Sequence, residues 1–164
     1  MKLSRRDALA ALAGVGSASL AGCSGDGSTS LPVDSLVALA ETLYPSAAAG
    51  HREFVETYVD GRTRGRPAER EALTETVADL NDVAREWYDG RLPGLARADR
   101  DTLLREVGVE TAAPRRDGTL AERVRRVVDD LLYAFYTSPT GGELVGTSNP
   151  PGYPGGTASY HGGR

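Results

Sequence analysis

"PAEREALTETVADLNDVAREWYDG", residues Pro67 to Gly90, decides the fold class. Within it Leu73, Val77, Leu80, Ala84 and Trp87 recur at steps of four and three, a spacing that lines one face of an α-helix and fits no strand. Pro67 suits the first helical position, where its missing N–H has no partner to lose, and Gly90 is expected to stop the helix. Towards the N-terminus, "REFVETYVDG" (Arg52 to Gly61) predicts a shorter helix, with Phe54 and Tyr58 on one side and Val55 and Val59 beside them. Earlier still, between Asp34 as N-cap and Pro45, Leu36, Leu39, Ala40 and Leu43 predict a helix with one apolar face. Towards the C-terminus, "RLPGL" makes a turn before a helix carrying Leu103, Leu104 and Val107 as far as Gly108. After "VETAAPRRDG", a fifth helix presents Leu120, Val124, Val127, Val128, Leu131, Leu132 and Phe135. No stretch alternates with period two. The expected fold is all-α, a small bundle of about five helices.

Composition agrees with one such domain. The chain has 164 residues, 40% hydrophobic and 26% charged, enough for a modest core. Its basic residues are all Arg except Lys2. A net charge of -4 argues against nucleic acid as a partner, because neutralising phosphates requires a basic face.

No residue of the sequence is expected to be catalytic, cofactor-binding or metal-ligating. There is no GxGxxG after a strand, no GxxxxGK[ST], no HExxH and no GxSxG. Cys23 is the only cysteine, so neither an intrachain disulfide nor a CxxCH haem site nor a Cys-rich metal site can form. His51 and His161 lie far apart, one at a helix start and one in the tail, and read as solvated surface histidines. Asp129 with Asp130, and Glu71 with Glu75, fall on helix faces rich in Arg, which predicts a solvated, ion-paired surface. Trp87, Tyr88, Tyr133 and Phe135 sit at helical spacing and read as core rather than as a pocket lining. An enzyme acting by itself is not expected.

The two ends of the chain carry different information. "MKLSRRDALAALAGVGSASLAGC" opens on a basic stretch with adjacent Arg5 and Arg6, then runs without charge from Ala8 to Gly22, too short and too weakly apolar to span a bilayer. Ser4-Arg5-Arg6 followed by Leu9 resembles a twin-arginine export signal, and "LAGC", Leu20 to Cys23, resembles a lipobox whose thiol receives lipid. Residues 1–22 are therefore expected to be a signal peptide, 23–30 a flexible tether and 31–137 the helical domain. Residues 138–164 hold eight Gly and four Pro, a composition that builds no core. Leu144, Val145, Tyr153 and Tyr160 punctuate it, which predicts an extended ribbon lying along another protein rather than a featureless end.

The opening "LVALAETLYPS" (Leu36 to Ser46), the aromatic end of the fifth helix, the export-type N-terminus and the closing "YTSPTGGELVGTSNPPGYPGG" (Tyr136 to Gly156) together resemble the small subunit, subunit 3, of membrane-bound gluconate 2-dehydrogenase and related sugar or polyol dehydrogenases. The likeness runs from about Leu31 to the "GYPGG", with nothing recognisable in residues 62–118. It implies a non-catalytic accessory subunit without a redox centre, accompanying a large FAD-containing dehydrogenase of the glucose-methanol-choline type and, in some complexes, a cytochrome carrying haem c. It also implies that the small subunit supplies the export signal for its partner. From the signal-like stretch Arg5 and Arg6 are expected to serve export, from the lipobox Cys23 to carry lipid at the extracytoplasmic face of the cell membrane, and from the tail Leu144, Tyr153 and Tyr160 to bind the partner. The competing reading is a solitary exported helical lipoprotein that binds some other extracytoplasmic protein.

Overall fold

The computed structural model describes residues 30–146. Among them are six α-helices, one 3₁₀ turn and no strand: α1 (Val33–Leu43), α2 (His51–Thr63), α3 (Pro67–Tyr88), the 3₁₀ turn (Leu92–Gly94), α4 (Arg97–Val107), α5 (Leu120–Tyr136) and α6 (Pro139–Leu144). The expected all-helical architecture is found, with one helix more than the spacing predicts. The additional one, α6, lies where an extended ribbon was expected to begin.

The first helix is the centre of the bundle. It packs against α2, α3, α4, α5 and the 3₁₀ turn, and every residue from Ser35 to Ala40 is buried. One apolar face was expected; burial on all sides is found, and Ala38 and Ala40 are small enough to let neighbouring helices approach there. Asp34 is not the N-cap. That position is Pro32, which offers no side-chain cap, and Asp34 sits in the first exposed turn, paired with Arg52 at 2.6 Å. With no cap and only 11 residues, α1 is held by tertiary burial, because a helix this short is marginal by itself in water.

Pro67 does open α3, but the chain turns at Asp89 rather than at Gly90. Asp89 adopts a left-handed conformation (φ 55°), one of the few non-glycine residues to which this is accessible, and its N–H bonds the Arg85 carbonyl at 3.1 Å. Asn81, in the middle of α3, is buried and fully engaged. Its amide donates to Ser35 Oγ at 3.0 Å and to the Val77 carbonyl at 2.9 Å, and its oxygen accepts from the Leu92 N–H at 3.0 Å. Three elements are thereby fixed in one register: α1, α3 and the 3₁₀ turn. Arg100 extends the join to α4, donating to the Leu92 carbonyl at 3.4 Å and pairing with Glu41 at 3.3 Å.

The fifth helix begins at a capping box. Thr119 Oγ1 accepts from the Glu122 N–H at 3.4 Å, and the Glu122 carboxylate accepts from the Thr119 N–H at 2.9 Å. From there Val124, Val127, Val128, Leu131, Ala134 and Phe135 form the buried face and lead to the end of the bundle where α6 packs.

Candidate partner-binding surface

Large apolar side chains left exposed near one another, rather than scattered singly, mark a binding surface. Among the described residues Tyr133 (67% exposed), Tyr136 (39%), Leu144 (43%) and Val145 (57%) are left in solvent, at the C-terminal end of α5, at the end of α6 and at the residue that caps it. Trp87, at the end of α3, is the remaining large exposed one at 49%. The expectation that Trp87 and Tyr133 are core is therefore corrected: each projects from the outward side of its helix, where no neighbouring element covers it. Phe135 is buried as expected, and Tyr88 is half-buried with its hydroxyl donating to Glu106 at 2.9 Å.

Hydrogen bonds and close packing hold the end of the chain that carries these side chains against α5. Ser138 caps α6, its Oγ accepting from the Gly141 N–H at 3.2 Å and donating to the Phe135 carbonyl at 2.6 Å. Gly141 and Gly142 are buried against α5, and a Cβ added at Gly141 would stand 2.0 Å from the Phe135 carbonyl oxygen. Gly141 thus permits a close approach that no other residue allows. The first residues of the Gly-rich ribbon are a docked helix rather than an extended strand. Ser138 as N-cap with Pro139 in the first turn is the sequence signature that marks it, masked by the glycines that follow.

Beside α6 lies a cleft of about 370 Å³ lined by Tyr44, His51, Phe54, Phe135 and Pro139. Tyr44 stacks on Phe135 with ring centroids 4.3 Å apart and meets His51 edge-on at 5.6 Å, while its hydroxyl donates to the Leu131 carbonyl at 2.9 Å. Burial pushes the Tyr44 hydroxyl well above the ordinary tyrosine value, so it stays protonated and keeps that hydrogen bond. Phe54 stacks in turn on Tyr58, centroids 6.4 Å apart and nearly parallel. His51 is not the solvated residue expected. It is half-buried in this aromatic wall, with Nε2 enclosed and without a hydrogen-bond partner among the described residues.

Of the residues singled out from sequence, Leu144 stands at the exposed end of α6. Arg5, Arg6, Cys23, Tyr153, Tyr160 and His161 lie outside the described residues. Asp130 pairs with Arg62 at 2.9 Å and Asp129 with Arg125 at 2.8 Å, ion-paired as expected but half-buried rather than solvated, whereas Glu71 and Glu75 are exposed as expected. Among the described residues no group of three or more His, Cys, Asp or Glu could hold a metal ion, and no helix is long and apolar enough to cross a membrane.

The chain has no significant match among curated proteins or among solved structures. A family model described as Gluconate 2-dehydrogenase subunit 3 matches residues 33–155, from the first residue of α1 through most of the closing ribbon. With well over half of its length inside that match, the chain belongs to the gluconate 2-dehydrogenase subunit 3 family.

Proposed function

We propose that the protein is a non-catalytic accessory subunit of a membrane-associated, FAD-dependent dehydrogenase of the glucose-methanol-choline type acting on a sugar, gluconate or an alcohol. In this role it supports export, stability and membrane tethering of the catalytic subunit. Family membership carries the reading, and the match continues past the helical body into the ribbon as far as residue 155. A ribbon that belongs to the family pattern, adjoining a cluster of exposed Tyr, Leu and Val side chains, suits a surface that clasps another polypeptide.

The roles divide along the chain. Arg5 and Arg6 direct export of the folded pair, since a flavoprotein that binds FAD in the cytoplasm must cross the membrane folded. Cys23 carries the lipid and residues 24–30 give reach. Residues 31–144 present Tyr133, Tyr136 and Leu144, and Tyr153 and Tyr160 extend the contact. FAD, and haem c where a cytochrome subunit is present, belong to the partners.

Co-expression with the flavoprotein tests this directly. The small subunit purified alone should show neither flavin nor haem absorbance, and it should co-purify with a flavoprotein when the two are expressed together. Replacing Arg5 and Arg6 by Lys should hold both proteins in the cytoplasm, whereas Cys23→Ala should still permit export but release the complex from the membrane. A stoichiometric chromophore in the isolated chain would overturn the reading.

A further inference from the structure

Away from the aromatic cleft, where the α4–α5 loop crosses α3 and the N-terminal half of α5, a second surface is built from guanidinium groups. Arg62, Arg115, Arg116, Arg123 and Arg126 line one cleft with only two carboxylates, Glu69 and Asp130. Glu69 is shared, accepting from Arg116 at 3.0 Å and from Arg126 at 2.8 Å, and the hydrogen bond from Arg126 holds its carboxyl below the usual range. Arg62 donates to both oxygens of Asp130, at 3.0 and 2.9 Å. Arg123 draws on Asp79 at 2.7 Å from outside the cleft. Arg115 has the weakest tie: its nearest carboxylate oxygen is on Glu122 at 3.6 Å, and Glu122 is already engaged in the capping box of α5. The Arg115 side chain is 71% exposed and makes no hydrogen bond among the described residues. Even with Asp79 and Glu122 included, the positive charges outnumber the negative in a chain whose net charge is -4.

The size of the cleft restricts its ligand. Its free volume is about 30 Å³, room for a single water-sized group. Sites that enclose a small molecule run to roughly 300–1,000 Å³, so this cleft does not enclose a whole sugar acid or nucleotide. It offers room for one carboxylate of a segment laid across the surface, where neighbouring contacts hold the rest, and the planar Arg fork is the group that holds a carboxylate through paired hydrogen bonds. We propose that this arginine cleft docks an acidic segment of the partner dehydrogenase, one Asp or Glu carboxylate settling between Arg115, Arg116 and Arg123. The inference rests on the accessory-subunit reading and adds a second, electrostatic contact to the aromatic one.

A short poly-glutamate peptide is the probe, titrated calorimetrically into the full-length protein at low and at physiological ionic strength, with inorganic phosphate and poly-lysine in parallel. Poly-glutamate should bind, weaken several-fold as salt rises, and lose at least tenfold in affinity in Arg115→Glu. The Arg115 side chain is exposed and without a hydrogen bond, and its backbone N–H keeps its bond to the Glu122 carbonyl in the variant, so the variant should fold normally, and circular dichroism checks that it does. Arg105→Glu, on α4, should bind as the wild type does. Absence of poly-glutamate binding at low salt, unchanged binding by Arg115→Glu, or binding of phosphate alone would each overturn the proposal. Flavoprotein co-purification separates the two readings. A wild-type chain that captures no flavoprotein refutes the accessory role whatever poly-glutamate does. Undiminished capture by Arg115→Glu refutes only the arginine dock.

Discussion

The first helix and the last two use apolar residues in opposite ways. In α1 every side chain from Ser35 to Ala40 is withdrawn from water, and neighbours close around it on all sides. At the C-terminal ends of α5 and α6, Phe135 is buried while Tyr133, Tyr136, Leu144 and Val145 remain in solvent. The core is complete without those four. Apolar residues in α1 therefore determine whether the chain folds, and those at the far end are available for another polypeptide. Substitutions in the two regions should separate into those that change stability and those that change capture of a partner.

The largest effect is expected in α1. Leu39 is fully buried, and Leu39→Ala removes its contacts and leaves a cavity where the surrounding helices cannot fully collapse, at a cost of about 2–5 kcal/mol. Urea denaturation followed by circular dichroism measures it. A loss below about 1 kcal/mol would mean that α1 is not the centre of the core.

Gly141→Ala acts on the support of the exposed end. The added methyl meets the Phe135 carbonyl, so α6 must shift or detach, at a local cost of about 1–3 kcal/mol. Amide exchange should report it at Gly142 and Val145, whose N–H groups bond Ser138 and Gly142 at 2.9 and 3.2 Å, while the exchange of α1 stays slow. If exchange rises equally in α1, the two regions are one cooperative unit and the contrast fails. Tyr133→Ala addresses the surface itself. Stability should change by no more than about 0.5 kcal/mol, because the side chain touches solvent rather than core, and retention of the flavoprotein should fall roughly tenfold. A stability loss without a retention loss would return Tyr133 to a structural role.

These differences also define what the sequence could disclose. Helical spacing in residues 67–88 and 120–136 depends on local order, and both helices stand where the spacing predicts. The encirclement of α1 depends on five other elements, and no period within residues 33–43 records them. Gly141 misled for a related reason: composition assigns glycine to loops, whereas here it meets a carbonyl on another helix. Trp87 and Tyr133 were expected inside because aromatic residues at helical spacing fill cores, yet spacing cannot tell which positions the neighbouring helices leave uncovered. The arginine cleft draws on residues from Arg62 to Arg126, separated in sequence and joined only by packing.

The smallest effect concerns how each helix begins. The N-terminus of α5 is fixed locally by the reciprocal bonds of Thr119 and Glu122, so Thr119→Ala leaves the Glu122 N–H without its partner. A loss of about 1 kcal/mol is expected, the usual effect of removing a cap. In α1 no side chain caps the helix, and Asp34 makes only an exposed ion pair with Arg52. Asp34→Ala should then cost no more than about 0.5 kcal/mol, and less as salt screens the pair. The two variants compared in one denaturation series distinguish a helix fixed by its own sequence from one fixed by its surroundings. If Asp34→Ala proved the costlier, α1 would depend on its own N-terminal turn rather than on its burial, and its central place would have to be explained by local order after all.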